Sequence, residues 1–473
     1  MGLFALALFT VTFSMRRIAL PLGPLIFAAL WANPGFPFEG QVQSTLGVAL
    51  WMALWWISEC VALEATSLLP ILLFPLLGIL DAKQVALSYG DPMMYLFLGG
   101  FVLAQSMENW NLHKRMALNI VLRLGADRKR LILGFMIAVA FLSMWMSNTA
   151  TAAMMLPIGI SLLRQSGSEP RSPYATALIL SIAYAASIGG MATIIGTPPN
   201  MVLAAVFEQE YGQTLTFGRW FSLGFPVSVI LLFATWWVLT RRLEAESEVD
   251  TQRLKNELSQ LGPFSAAEKK VALVFALTAL AWMTRPVLLK PWLPAISDSH
   301  IALLGAFCMF LLPGEKGGRR LFEWSEAHRL PWGTLLLFGG GLALAAAFES
   351  SGLAGSLASG FTALAGWPNW LVLLLVVAAI NFLTEITSNL ATTAVALPLL
   401  HPLAQACGMP PLALLGAATL AASCAFMLPV ATAANTFAYG SGFVAQKDMI
   451  RTGLRLNFIS IVVISLLLWW LGV

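Results

Sequence analysis

Long apolar runs, interrupted by short charged clusters and by Gly and Pro, follow one another along almost the whole chain. Runs near 18 residues match the hydrocarbon thickness of a bilayer, and the charged and Gly/Pro punctuation marks their ends. Read this way, the pattern predicts about eleven membrane crossings, at 18–33, 44–60, 64–80, 93–112, 175–207, 220–240, 271–289, 301–313, 332–350, 412–438 and 456–472. Two more apolar stretches, 131–163 and 369–402, are too long for one span and too interrupted for two. They read as re-entrant helical hairpins. Residues 1–14 read as an uncleaved interfacial lead-in. The fold class is an all-α polytopic membrane protein.

Composition agrees with that pattern. Of 473 residues, 58% are hydrophobic and 11% charged, and the mean hydropathy is +0.79. A soluble enzyme of this length would carry far more charge on its surface. The net charge of +4 carries no nucleic-acid signal. Cys60, Cys308, Cys407 and Cys424 stand singly among apolar residues, as packing residues rather than a disulfide or metal framework. His113, His300, His328 and His401 show no metal-ligand spacing.

Charge placement sets the orientation. With the N-terminus cytoplasmic and each hairpin returning to its own side, twenty-three of the 27 Lys and Arg residues fall on the cytoplasmic side. Lys83, Arg219, Arg285 and Lys290 are left outside, as is the C-terminus. The first hairpin then enters from the cytoplasm and the second from outside. The polar stretch 241–270 is a cytoplasmic connector, in which Gly262-Pro263 ends a short amphipathic helix and Ser265 with Glu268 forms a capping box opening the next.

Inside the hairpins lie two near copies of one motif, "WMSNTATAAMMLP" at Trp145–Pro157 and "EITSNLATTAVALP" at Glu385–Pro398. A shift of 241 positions carries Ser147-Asn148 onto Ser388-Asn389, Thr151 onto Thr392, and Leu156-Pro157 onto Leu397-Pro398. The same shift carries Gly99-Gly100 onto Gly340-Gly341 and Glu108 onto Glu349. One offset over so long a stretch is an internal duplication. By the charge rule, 93–112 runs inward and its copy 332–350 outward, so the repeats are inverted. Inverted repeats with interrupted helices are a secondary-transporter architecture.

A hairpin tip at mid-membrane frees backbone groups that lipid cannot satisfy, so it must be buried in protein or line a wet cavity. Ser and Asn suit the place because they cap the returning half-helix. Their oxygens replace the hydration shell of Na⁺, while the half-helix N-termini favour an anion. Each half has a second break downstream, "IGTPPN" at 195–200 and "LPVATAANT" at 428–436. There Thr197 pairs with Thr432 and Asn200 with Asn435. Ala433-Ala434 replace the prolines, and the second break is expected to be the softer one. Ser143 maps onto Thr384, giving each hairpin a hydroxyl one turn before its Ser-Asn pair. The expected cation ligands are therefore Ser143, Ser147, Asn148 and the Gly196 carbonyl at one site. At the other they are Thr384, Thr387, Asn389 and the Ala431 carbonyl. At least two co-transported Na⁺ ions follow. Glu385 has no acidic counterpart, since the shift points to Met144; it reads either as a proton site or as a local bracket for its hairpin.

"SNTA" and "SNLA" in the hairpins, "IGTPPN" in a broken helix, "LWMALWWISECVALEATSLLPILLFPLLGIL" and "LGPFSAAEKKVALVFALTALAWMTRP" together resemble the divalent anion/sodium symporter family over nearly the whole chain. That resemblance implies Na⁺-coupled carriage of dicarboxylates, tricarboxylates or sulfate across the plasma or inner membrane by a homodimer. In such carriers a transport domain moves as an elevator against a scaffold. Carried over, the substrate would meet Asn148, Thr149 and Asn389, with help from Thr197, Pro198, Thr432 and Ala433. Leu390 departs from the pattern, because dicarboxylate carriers of the family usually hold a second Thr there. Succinate, malate or fumarate is the first expectation, with citrate, sulfate, anion exchange and H⁺ coupling as alternatives. A membrane-embedded enzyme is disfavoured by the repeat symmetry and by the lack of clustered acids, His or Cys. The implied domain plan is a lead-in and scaffold at 1–92, a first transport half at 93–219, scaffold with the connector at 220–331, a second transport half at 332–440 and a last helix at 441–473.

Overall fold

The computed structural model describes residues 2–33, 40–243, 249–314, 318–364 and 366–471. Helix α1 (Gly2–Trp31) absorbs both the expected lead-in and the first span, with Pro21 and Pro24 inside it. Nothing between the lead-in and the span breaks a helix, so the separation drawn at Arg16-Arg17 is one of charge alone. Next come α2 (Gln41–Ser58), α3 (Leu63–Thr66), α4 (Leu69–Leu76) and α5 (Ala82–Ser88). The segment 64–80, expected as a single crossing, is thus split. Pro70 supplies no N–H and starts α4 as a new helix.

Seven helices of the first repeat follow: α6 (Pro92–Asn109), α7 (Leu112–Leu124), α8 (Arg128–Ser143), α9 (Asn148–Gln165), α10 (Pro173–Gly190), α11 (Pro198–Tyr211) and α12 (Phe217–Thr240). Between the repeats lie α13 (Gln252–Gln260), α14 (Ala266–Thr284) and α15 (Asp298–Leu311). The second repeat runs α16 (Trp332–Ser351), α17 (Leu353–Gly360), α18 (Asn369–Leu383), α19 (Asn389–Ala406), α20 (Pro411–Ala422), α21 (Ala433–Gly440) and α22 (Gln446–Leu471). The two sets match element for element. Among the described residues the only strand-like feature is one bridge between Pro313 and Arg320.

Five of the described helices are long and apolar enough to cross a membrane unaided, at 173–190, 217–240, 266–289, 332–351 and 446–470. The remaining apolar stretches are built from shorter or broken helices. The connector behaves as its punctuation dictates: α13 ends before Gly262, which adopts φ +66°, and α14 opens with the expected capping box. In that box the Glu268 N–H donates to Ser265 Oγ at 3.1 Å and the Ser265 N–H to Glu268 Oε2 at 2.8 Å. Glu268 also pairs with Arg115 at 2.7 Å, tying the connector to α7. The basic stretch between the segments 93–112 and 131–163 is largely the helix α7, whose Leu112, Ala117, Leu118 and Val121 are buried. Its charges hide an amphipathic face.

The repeats interlock crosswise. Helix α9 packs on α21, and α19 on α11, so each hairpin's returning helix lies against the broken helix of the other half. The two helix breaks meet, with Cys424 Sγ 3.8 Å from Met191 Sδ. Tyr184 of α10 donates to the Phe426 carbonyl at 2.7 Å. A smaller apolar cluster joins Met52, Trp56 and Phe74 of the N-terminal helices to Leu337 and Phe348 of α16 and to Ala391 and Ala394 of α19.

Candidate functional site

Each Ser-Asn motif sits in the turn between two helices. Ser147 and Ser388 are N-caps, accepting the N–H of Ala150 at 3.1 Å and of Ala391 at 3.2 Å. That frees the following Asn to turn back. Ser143 Oγ is 2.7 Å from Asn148 Oδ1 and 2.7 Å from the Ala186 carbonyl of α10. The second half repeats this, with Thr384 Oγ1 2.8 Å from Asn389 Oδ1 and 2.7 Å from the Ala422 carbonyl of α20.

A hydroxyl has one hydrogen and can bridge only one of these pairs at a time. Each cluster therefore holds three oxygens in contact with one proton among them, and a cation relieves the excess of acceptors. The first cluster is more crowded still. A Cβ on Gly190 would lie 2.4 Å from Asn148 Oδ1 and 3.1 Å from the Gly196 carbonyl oxygen, while one on Gly196 would lie 2.5 Å from the Gly190 oxygen and 3.0 Å from that of Ser143. Only glycine lets these carbonyls approach. The geometry suits a small hard cation bound by neutral oxygens.

The structure thus brings together Ser143, Asn148 and Gly196, and likewise Thr384 and Asn389. Two expected ligands are engaged otherwise. The Ser147 hydroxyl caps α9, and the Thr387 hydroxyl donates to the Leu383 carbonyl at 2.9 Å and bonds Thr392 Oγ1. Ala431 closes a short 3-10 turn, Pro429–Ala431, and is buried. The carbonyls of Ala186 and Ala422 were missed. Their signal is the run of small residues in α10 and α20, which lets a hairpin pack close against the backbone.

The breaks are built alike. Thr197 and Thr432 precede α11 and α21 in nearly the same extended conformation, φ −146° and −142°. Asn200 Nδ2 donates to the carbonyls of Gly190 at 3.1 Å and Thr193 at 2.7 Å. Asn435 Nδ2 donates to those of Ala425 at 2.9 Å and Leu428 at 3.1 Å, the same spacing along the chain. In both side chains Oδ1 is buried and has no hydrogen-bond partner among the described residues.

The second break is not the softer one. It runs from the end of α20 at Ala422 to Ala433, longer than the gap from Gly190 to Pro198. Glu385 explains this. Its carboxylate accepts the backbone N–H of Phe426 at 2.7 Å, of Met427 at 2.9 and 3.0 Å, and of Leu428 at 3.0 Å, together with Asn457 Nδ2 at 2.8 Å. These N–H groups would otherwise extend the helix, so the carboxylate takes the part that prolines play in the first half. Of the two readings of Glu385, the geometry is that of the bracket.

A cavity of about 230 Å³ lies against the first tip, lined by Ser147, Ile195, Gly196, Pro198, Met201 and Arg329 among others. Thr149 beside it is exposed.

Residues 16–473 match the family described as the sodium:sulfate symporter transmembrane region. The chain belongs to that family. Curated relatives of the chain include the sodium-dependent dicarboxylate transporter SdcS of Staphylococcus saprophyticus, 39% identical over 96% of the chain and 91% of the relative. SdcS of Staphylococcus aureus strain RF122 is 40% identical over the same shares. Among solved structures, the Alcanivorax borkumensis YdaH transporter aligns with TM-score 0.57 at 18% identity, covering 98% of each chain. The Neisseria gonorrhoeae MtrF structure gives 0.59 at 13% identity, over 97% of this chain and 94% of that one. These two likenesses concern the fold.

Within the symporter the two tips differ in surroundings. Leu390, where the first motif has Thr149, packs between the large core and the smaller apolar cluster. Thr432 Oγ1 accepts the Asn435 N–H at 3.1 Å, and the adjoining Ala433 is exposed.

Proposed function

We propose that this chain is a secondary active transporter that couples Na⁺ to the symport of a small dicarboxylate, with succinate, malate and fumarate as first substrates. The observation that carries this reading is the duplicated cluster in which a hydroxyl, an Asn side-chain oxygen and a helix carbonyl crowd around one proton. Each cluster takes one Na⁺. The N-terminal ends of α9 and α19, with Thr149, Asn148, Asn389, Thr197, Pro198, Thr432 and Ala433, receive the carboxylates without any fixed cation in the site. Membership in the symporter family and the naming of the SdcS relatives as sodium-dependent dicarboxylate transporters support the same conclusion. The chain is a carrier and not an enzyme.

The finer plan is part of the proposal. Residues 131–163 and 369–402 are re-entrant hairpins from opposite faces, and the halves 93–219 and 332–440 form a body that moves as an elevator against residues 1–92 and 220–331. Two copies assemble as a dimer in the plasma or inner membrane, with the N-terminus cytoplasmic. A cavity at the first tip, together with apolar packing around Leu390 at the second, fits a carrier open to one side.

The test is uptake of labelled succinate into proteoliposomes under an imposed Na⁺, K⁺ or pH gradient, competed with citrate and sulfate. Uptake should require Na⁺, and Asn148→Ala or Asn389→Ala should abolish it. Equal uptake without Na⁺ refutes symport. A second reading, citrate or sulfate as the main cargo, is favoured by Leu390; stronger competition by either anion than by malate would establish it.

A further inference from the structure

The site itself holds no Lys or Arg, yet its cargo is anionic and must reach it from water. The 230 Å³ cavity at the first tip is lined by Arg329 and Glu108 as well as by Ser147, Gly196 and Pro198. An outer cavity of about 580 Å³ shares Gln105, Glu108, Ala150 and Arg329 with it and adds Arg319 and His113. The two form one path, with Arg329 at the junction.

Among the described residues, the other cations near this mouth are engaged. Arg319 pairs with Glu326 at 2.6 Å and stacks over Trp110 at 5.3 Å. Arg115 pairs with Glu268, and Lys114 with Glu257 at 3.1 Å. Arg329 is exposed and has neither an ion pair nor a hydrogen bond among the described residues. Its backbone is nonetheless held firmly. It ends the 3-10 turn Trp324–Arg329, where Trp332 Nε1 donates to the Ala327 carbonyl at 2.8 Å and Asn109 Nδ2 ties Glu326 to α6 at 2.9 Å. Glu108, donated to by Gln105 at 3.0 Å, is within electrostatic reach of Arg329.

We infer that Arg329 is a transit subsite for the substrate's carboxylate, at the inner mouth of the path to the first tip, with Glu108 as the competing anion that keeps the hold weak. This rests on the dicarboxylate reading above. A fixed cation in a narrow mouth raises the local concentration of an anion and speeds its arrival. Arg329 lies in the part assigned to the scaffold, so it stays behind when the loaded site moves. A cation carried within the site would instead hold the anion on both sides of the membrane. Glu108 repels the dianion and sets the limit on that attraction.

The experiment compares succinate saturation at the two faces, using everted vesicles for the face where Lys and Arg gather and intact cells for the other. Arg329→Gln should raise the half-saturating succinate concentration in everted vesicles by roughly three- to tenfold and leave it unchanged in intact cells. Arg329→Lys should restore most of the difference, and Glu108→Gln should shift it the opposite way. Added choline chloride should weaken saturation in wild type and not in Arg329→Gln. An unchanged value in everted vesicles, or an equal shift at both faces, overturns the inference. Wild-type protein that carries no succinate in either preparation would refute the dicarboxylate reading instead, which keeps the two failures apart.

Discussion

At the residue scale, the chemistry rests on two hydroxyls that each touch two oxygens. On the proposed reading, Ser143→Ala and Thr384→Ala each remove a Na⁺ ligand and leave the fold of the hairpin in place. Loss of one such contact is worth about 1–2 kcal/mol, so the half-saturating Na⁺ concentration for succinate uptake should rise about tenfold in each variant. A Na⁺ titration measures it, and an unchanged curve would remove that hydroxyl from its site. A second residue-scale outcome concerns Glu210, which lies beyond the 175–207 segment. Its carboxylate is 3.2 Å from His401 Nε2, and His401 Nδ1 bonds the Tyr211 hydroxyl at 2.6 Å. Gln405 also meets His401 at 3.1 Å, while Glu349 of α16 faces the group, and Glu208 interacts with Asp91 rather than with Glu210. Burial, and then the charge of Glu349, push the Glu210 carboxyl up to about 7. The unfolded chain would ionise it near pH ~4.3. The native state therefore keeps a proton that the unfolded state releases, and this contribution to stability, complete below about pH 4.3, is lost as pH rises through about 7. The unfolding temperature should be lower at pH 8 than at pH 5, and Glu210→Gln should flatten the difference.

At the element scale, the second break depends on one carboxylate. Prolines were the visible signal for the first break, and their absence from "VATAANT" pointed to a milder interruption. The structure assigns the task to Glu385, about 40 residues away, which accepts three consecutive backbone N–H groups. No local pattern announces such a contact, because it depends on α18 reaching the end of α20. Glu385→Gln turns an amide N–H₂ toward those donors and leaves at least one buried N–H unpaired, a loss of about 1–3 kcal/mol. Faster amide exchange at Met427 and Leu428, with a lowered unfolding temperature, should follow, and unchanged exchange would refute the bracket. The hydroxyl-to-Asn spacing, in contrast, was legible, since Ser143 to Asn148 and Thr384 to Asn389 span a single turn. Their carbonyl partners at Ala186 and Ala422 were not. They come from neighbouring helices whose closeness is set by packing, as at Gly190, where a side chain would strike Asn148.

At the scale of the whole molecule, the proposed Na⁺ at each of the two clusters would set the charge carried per cycle. Two Na⁺ with a dianion move no net charge, so a potential imposed with K⁺ and valinomycin should leave initial succinate uptake unchanged. A third co-transported Na⁺ would make ~100 mV worth ~2.3 kcal/mol, a difference of about 50-fold in accumulation. Measured voltage sensitivity therefore counts the ions.

By itself the sequence determined the membrane class, the duplication at a 241-residue shift and the hydroxyl-Asn pairs, because hydropathy, repetition and one-turn spacing are all written locally along the chain. Only the tertiary structure decided which carbonyls complete the clusters, what holds the second helix break open and which tip meets a cavity. Those outcomes depend on the crosswise packing of α9 on α21 and α19 on α11, contacts between residues too far apart in sequence for any local pattern to encode.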